Sequence, residues 1–172
     1  PYYDFKVLFE KLSDDYRIVV VERAGYGWSE ISSADRNLKT VLKETRTALE
    51  MAGEKGPYVL FPHSSAGLEA IYWANLYPEE IKAVIGLDPL VPGFIEEAEE
   101  KPSLSTLITI LTRTGLVRNQ PEVFDNNFEA AKKGLLTAKE AEIARTIFYR
   151  RVQTKNMWEE VEMVEKNSQL VS

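Results

Sequence analysis

Tyr58-Val59-Leu60-Phe61-Pro62-His63-Ser64-Ser65-Ala66-Gly67-Leu68 is the stretch on which the fold turns. Its first four residues are apolar and uninterrupted, as in a short strand covered on both faces. From Leu68 onward, Leu68, Ile71, Tyr72 and Leu76 recur at helical spacing until Pro78 stops the helix. Between strand and helix stand six residues, the last four of them small (Ser64-Ser65-Ala66-Gly67), so the chain can reverse sharply. In such a turn the residues two before and two after the apex crowd one another. With Ser64 at the apex these are Pro62 and Ala66; with Ser65 at the apex one of them is the bulkier His63. Ser64 is therefore the candidate nucleophile. The Ser65 amide, at the start of the following helix, would point at an oxyanion forming beside it. A serine at this place is also a favoured helix N-cap, and a small-residue turn can cradle phosphate. Neither a G-x-x-x-x-G-K-[ST] nor a G-x-G-x-x-G pattern follows any strand, which weakens the phosphate reading. On spacing alone the cap and the nucleophile readings both stand.

The neighbouring segments repeat the alternation. Phe5, Leu8, Phe9 and Leu12 mark one face of a helix that ends at Ser13-Asp14-Asp15. Arg17-Ile18-Val19-Val20-Val21-Glu22 reads as a strand buried on both faces, and the loop Ala24-Gly25-Tyr26-Gly27-Trp28-Ser29 follows it. Leu38, Val41, Leu42, Ala48, Leu49 and Ala52 predict a helix closed by Gly53. Ala83 to Leu87 predicts a last strand, ended by Asp88-Pro89. Strand, helix, strand, helix, strand is the pattern of a parallel sheet with right-handed crossovers.

Beyond Pro92 only helical periods remain. Phe94 to Glu100 opens an acidic stretch whose run of glutamates reads as a solvated face. Apolar stripes follow at Leu104, Leu107, Ile108 and Leu111, and at Val123, Phe124, Phe128 and Ala131. Thr137-Ala138-Lys139-Glu140 predicts a capping box before a helix with Ala141, Ala144, Ile147 and Phe148 inward. Trp158, Val161 and Val164 mark one more helix.

Composition narrows the chemistry. The 172 residues carry 27 acidic against 21 basic side chains, a formal charge of -6, which argues against nucleic acid as a partner. With no cysteine and a single histidine, His63, thiolate nucleophiles, disulfides and cysteine or histidine metal cages are excluded. The apolar runs fall far short of the roughly 20 residues that span a bilayer. A soluble, cytoplasmic protein without a membrane partner is expected. The opening Pro1-Tyr2-Tyr3 and the helical ending read as the middle of a longer chain. Three parallel strands would leave two apolar outer edges, through which self-association is expected.

Pro62-His63-Ser64-Ser65-Ala66-Gly67, with the helix through Tyr72-Trp73-Ala74-Asn75 and Tyr77-Pro78, resembles the nucleophile elbow of α/β-hydrolases, usually Gly-His-Ser-x-Gly-Gly. Glu22-Arg23-Ala24-Gly25-Tyr26-Gly27-Trp28-Ser29 is similar to the family's acidic-x-x-Gly-x-Gly-x-Ser loop after its fourth strand. Ile85-Gly86-Leu87-Asp88-Pro89 is similar to the end of its sixth. The resemblance implies an α/β fold: a partial hydrolase core over residues 1–92, a parallel sheet with helical crossovers carrying the elbow, then an all-helical cap or lid over 93–172. It implies a serine hydrolase that acts on a small ester, amide or related carbonyl substrate through Ser64, with the Ser65 backbone N–H in the oxyanion hole and no metal or organic cofactor. A serine at the elbow argues against the dehalogenase and epoxide-hydrolase branches, which place aspartate there. Cap residues such as Leu107, Leu111 and Trp158 would line the pocket or pack the core.

The resemblance also implies an acid and a histidine after the serine, and no histidine follows Ser64. His63 is adjacent to it in sequence and should point away from the elbow side chain, so packing beneath the turn is its expected role. Asp88 is the one candidate acid, since some members take their acid from the end of the sixth strand; a residue before proline more often shapes a turn. Glu22 is expected to brace the Gly25/Gly27 loop. The isolated chain should therefore be inactive, and two other readings compete. One is a non-catalytic α/β module that binds a ligand through the same pocket, and the other is a nucleotide-binding Rossmann relative.

Overall fold

In a computed structural model of the chain, residues 2–93, 124, 128–151 and 154–172 are described. The expected acidic stretch at 94–100 and the stripe Leu104, Leu107, Ile108 and Leu111 lie outside them, as does Val123.

The chain divides into two units, Pro1–Ser32 with Ser103–Met157 and Ser33–Pro102 with Trp158–Ser172. The second holds the sheet. Helix α2 (Leu38–Met51) starts where Asn37 accepts a hydrogen bond from the Thr40 amide, 2.9 Å, and ends before Gly53, whose left-handed φ of 75° closes it as expected. Strand β1 (Tyr58–Leu60), strand β2 (His63–Ser64), helix α3 (Ala66–Leu76), a 3-10 turn (Pro78–Glu80), strand β3 (Ile81–Val84) and strand β4 (Leu87–Pro89) follow in order. β1 pairs with β3 and β2 with β4, both in parallel. Between the ladders, Ile85 N–H donates to Leu60 O and Leu87 N–H to Pro62 O, each at 2.8 Å, so the two short pairs run on as one two-stranded ribbon. Leu38, Val41, Leu42 and Leu49 of α2 are buried, as its periodicity predicts, although Ala48 and Ala52 are exposed. In α3 the predicted stripe is not the buried face: Leu68, Ala70 and Trp73 are buried, Ile71 and Tyr72 are half-buried and Leu76 is 50% exposed. A helix apolar on nearly every side does not reveal its inner face by spacing.

Two groups tie this unit together away from the strands. Glu80 accepts from Trp73 Nε1 at 2.7 Å and from Arg46 Nε at 3.0 Å, while the Arg46 guanidinium lies 3.7 Å from the Tyr77 ring centre. The hydrogen bonds from Arg46, with help from Trp73, hold the Glu80 carboxyl below its usual 4.5 despite burial. A carboxyl lowered by folding stabilises the protein above its unfolded pKa and ceases to do so as pH falls through the folded value. Because Arg46 and Glu80 are each about one-third exposed, the contribution is at most about 1 kcal/mol. Glu80→Gln should therefore lower the urea midpoint slightly at pH 7 and converge on wild type only as pH falls through the lowered folded value of Glu80, a convergence measurable by unfolding across a pH series.

Further along, Arg36 is wholly buried between Glu44, 2.7 Å from Nη1, and Glu160, 3.3 Å from Nη2. The Asn167 side chain meets the backbone on both sides of Asn37, accepting from Leu38 N–H at 3.1 Å and donating to Arg36 O at 3.4 Å. These contacts fasten the later part of helix α6 (Lys155–Gln169) to the start of α2.

The first unit holds helix α1 (Tyr2–Leu12), helix α4 (Glu129–Lys132) and helix α5 (Ala138–Arg151), with the first residues of α6. Its core is Phe124, Phe128, Ala130 and Ala144, with Phe124 and Phe128 stacked at 4.9 Å and Phe148 edge-on to Phe124 at 5.6 Å. The predicted capping box is present. Thr137 N–H and Oγ1 donate to Glu140 Oε2, both at 2.8 Å, and the Glu140 amide donates back to Thr137 Oγ1 at 3.3 Å. Lys6 Nζ of α1 adds an ion pair to Glu140 at 3.1 Å.

One expectation fails here. Arg17–Glu22 forms no strand among the described residues, and Val19 and Val20 are 42% and 37% exposed. Nor are the formed strands covered, with Val59 at 42% and Val84 at 45% exposed. An apolar β-branched run suits a central position in a sheet, but that position exists only where neighbouring strands supply it. The described residues give β1 and β2 one neighbour each.

Candidate active site

The chain turns sharply between β2 and α3. Ser64 ends β2 with φ of 52°, a left-handed backbone that an L residue with a side chain adopts at a cost, and its residue is exposed. α3 begins two residues later. Ser65 stands at its N-cap position with helical dihedrals and makes no side-chain cap hydrogen bond to the helix. The simple capping reading therefore does not describe this corner.

The turn is tight because α3 presses directly on β4. A Cβ on the buried Gly67 would collide with the Leu90 carbonyl oxygen and lie 2.8 Å from Pro89 Cβ. Glycine lets helix and strand touch there. Gly67→Ala should destabilise the protein by about 1–3 kcal/mol, the usual range for overpacking, measurable as a lowered urea midpoint; an unchanged midpoint would mean that β4 yields freely.

Ser64 and Asp88 lie together at this end of the ribbon, on paired strands, with Ser64 opposite Pro89. Asp88 is exposed, and its φ is 53°. His63 is exposed and lies opposite Leu87. Ser64, Ser65 and Asp88 are thus brought to one corner of the second unit, and the described residues hold no group of three or more acidic, histidine or cysteine side chains fit for a metal. Asp88's left-handed backbone was not foreseen, because aspartate before proline signals a turn without saying which one.

The glycine loop belongs to the first unit. The Glu22 carboxylate accepts from Trp28 N–H at 2.7 Å and Tyr2 N–H at 3.0 Å, and fills the space that a Cβ on Gly27 would occupy. Ser29 Oγ donates to Glu22 O at 2.6 Å. Gly25, with φ of 79°, lies against Thr154 and Asn156 and accepts from Thr154 Oγ1 at 3.1 Å. Asn156, wholly buried, accepts from Ser32 N–H and donates to Ser32 O, each at 2.8 Å, a pairing across 124 positions that no local pattern announces.

This unit also holds a small, partly open pocket of about 50 Å³, lined by Tyr3, Phe128, Ala144, Ile147, Phe148 and Arg151 among others. Ser64, Ser65 and Asp88 are not among its described lining residues. Trp158 is half-buried on α6, while Leu107 and Leu111 lie outside the described residues. Among the described residues no helix is long and apolar enough to cross a membrane.

Comparison with known proteins fits these features. A family model described as alpha/beta hydrolase fold matches residues 1–169. The uncharacterized protein YbdG of Bacillus subtilis is 40% identical over 166 residues, covering 94% of this chain and 50% of that protein. The uncharacterized protein YqjL of the same organism is 32% identical over 85 residues, 49% of this chain and 34% of its own length. The chain thus spans half the length of YbdG or less of these relatives. Among solved structures, Cfl2 from Burkholderia cenocepacia shares the fold with a TM-score of 0.61 at 18% identity, covering 98% of this chain and 60% of that one. The epoxide hydrolase CorEH does so at 0.55 and 10% identity, covering 99% and 65%.

Proposed function

Because the chain belongs to the α/β-hydrolase family, we propose that the whole protein is a serine hydrolase acting on a small ester, amide or related carbonyl substrate through Ser64. The observation that carries this reading is the left-handed, exposed Ser64 between β2 and α3. A strained residue at a strand-to-helix corner lifts its side chain clear of both elements, where a substrate carbonyl can reach it. Ser64 Oγ attacks the carbonyl carbon, its proton passing to a histidine contributed from outside these 172 residues. The oxygen that becomes negative is met by the Ser65 N–H at the positive end of α3. Collapse of that adduct expels the alcohol or amine, which takes the proton, and water then releases the acyl group from Ser64 by the reverse steps. The helical region 93–172 is the cap that sets substrate choice, and no cofactor enters any step. At 10% identity the likeness to CorEH concerns the fold alone, and Ser64 stands where an epoxide-opening carboxylate would be needed.

A fluorophosphonate probe tests the reading. The full-length protein should label at Ser64, located by peptide mass spectrometry, and the 172-residue chain should label at least a hundredfold more slowly for want of a base. Equal labelling of both forms would remove the need for an outside histidine, and no labelling of the longer form would end the nucleophile assignment. The second reading, a non-catalytic binding module, is favoured by one observation: the single histidine precedes Ser64. A full-length protein without a base in reach of Ser64 would bind substrate-like esters without turning them over.

A further inference from the structure

Ser64 and Asp88 are the two non-glycine residues with positive φ among those described, and they occupy adjacent strands at the same corner. The backbone bonds along the ribbon explain why the second exists. Leu60 O, Pro62 O and Ser64 O are two residues apart, and their donors are Ile85, Leu87 and Leu90. The donor spacing is two and then three. Continued regularly, the ladder would bring residue 89 to Ser64 O, and residue 89 is a proline with no N–H to give. The left-handed turn at Asp88 takes up one extra residue, as a bulge does, so that Leu90 N–H reaches Ser64 O at 2.8 Å. The same shift brings the Leu90 carbonyl and Pro89 ring onto Gly67, at the start of the helix that Ser64 feeds.

Resting on the serine-hydrolase reading, we propose that Asp88 is a positioning residue that acts through its backbone: its left-handed conformation sets the Leu90 amide on Ser64 and so holds the nucleophile in its strained pose. Aspartate, asparagine and glycine share a tolerance of that conformation, whereas alanine tolerates it less and valine least. The carboxylate is not required.

The test measures fluorophosphonate labelling of Ser64 in the full-length protein and hydrogen exchange at the Leu90 amide. Asp88→Gly and Asp88→Asn should label within about threefold of wild type, with the wild-type pH profile and with Leu90 protected. Asp88→Val should label at least about tenfold more slowly and lose that protection, with Asp88→Ala between. Loss of labelling in Asp88→Gly and Asp88→Asn to the level of the valine variant would overturn the proposal and give the carboxylate a chemical part. Full labelling of Asp88→Val would overturn it as well. Should the alanine and valine variants fail to fold, the glycine and asparagine variants still decide. A wild type that never labels refutes the nucleophile instead, and Leu90 exchange across the same variants then shows by itself whether residue 88 sets the ladder.

Discussion

Ser64→Ala in the full-length protein is expected to abolish fluorophosphonate labelling and to lower kcat/KM on simple esters by on the order of 10⁴-fold or more. The size follows from the role. Without the hydroxyl no acyl intermediate forms, and only the catalysis due to oxyanion stabilisation and binding remains. The fold should survive, because the residue is exposed and its backbone geometry is imposed by β2, α3 and Leu90. Stability provides an internal control. Ser64→Gly relieves the cost of a left-handed L residue at φ of 52°, so it should melt at least as high as wild type and above Ser64→Ala while being equally inactive. An alanine variant that keeps more than about one hundredth of wild-type kcat/KM would place the reaction elsewhere.

Arg36→Ala should cost about 3–5 kcal/mol of unfolding free energy, the range for breaking a buried ion pair from one side. The Arg36 side chain is fully buried, and Glu160 is 7% exposed, so alanine takes an opposite charge away from a carboxylate that water scarcely reaches and empties the volume the arginine filled. Glu44 is 37% exposed and can turn to solvent. Urea unfolding reads the loss, and the double variant Arg36→Met with Glu160→Leu separates its causes. If the cost lies in the uncompensated charge, replacing both partners by apolar side chains restores most of the stability. A drop below about 1 kcal/mol in Arg36→Ala would show that water reaches Glu160.

What could be read from residue order was whatever depends on near neighbours. The sharp corner at Ser64 was legible because four small residues stand between a strand and a helical period, and the Thr137/Glu140 box because capping is a contact over three residues. Gly53 closed α2 where its type suggested. Arg17–Glu22 misled for a physical reason. A β-branched run records the environment a segment suits, while pairing is decided by segments distant in sequence. Distance also hid Arg36 with Glu160 and Asn156 with Ser32, each 124 positions apart. Charge and amide counts say that partners exist without saying which. The left-handed Asp88 was hidden differently. It arises from a proline one place on that cannot donate, and it becomes visible only when the facing strand is known.

The carboxylate of Glu22 sitting where a side chain on Gly27 would go makes the two positions a linked pair in evolution. A homologue that shortens the acid removes the clash for a methyl group five residues later, leaving only the strain of a left-handed φ of 49°, whereas one that acquires the methyl first must also bend its loop until the acid is lost. Changes at 22 and 27 should therefore co-vary across aligned homologues, and grafting either residue alone between distant members should cost more than exchanging both.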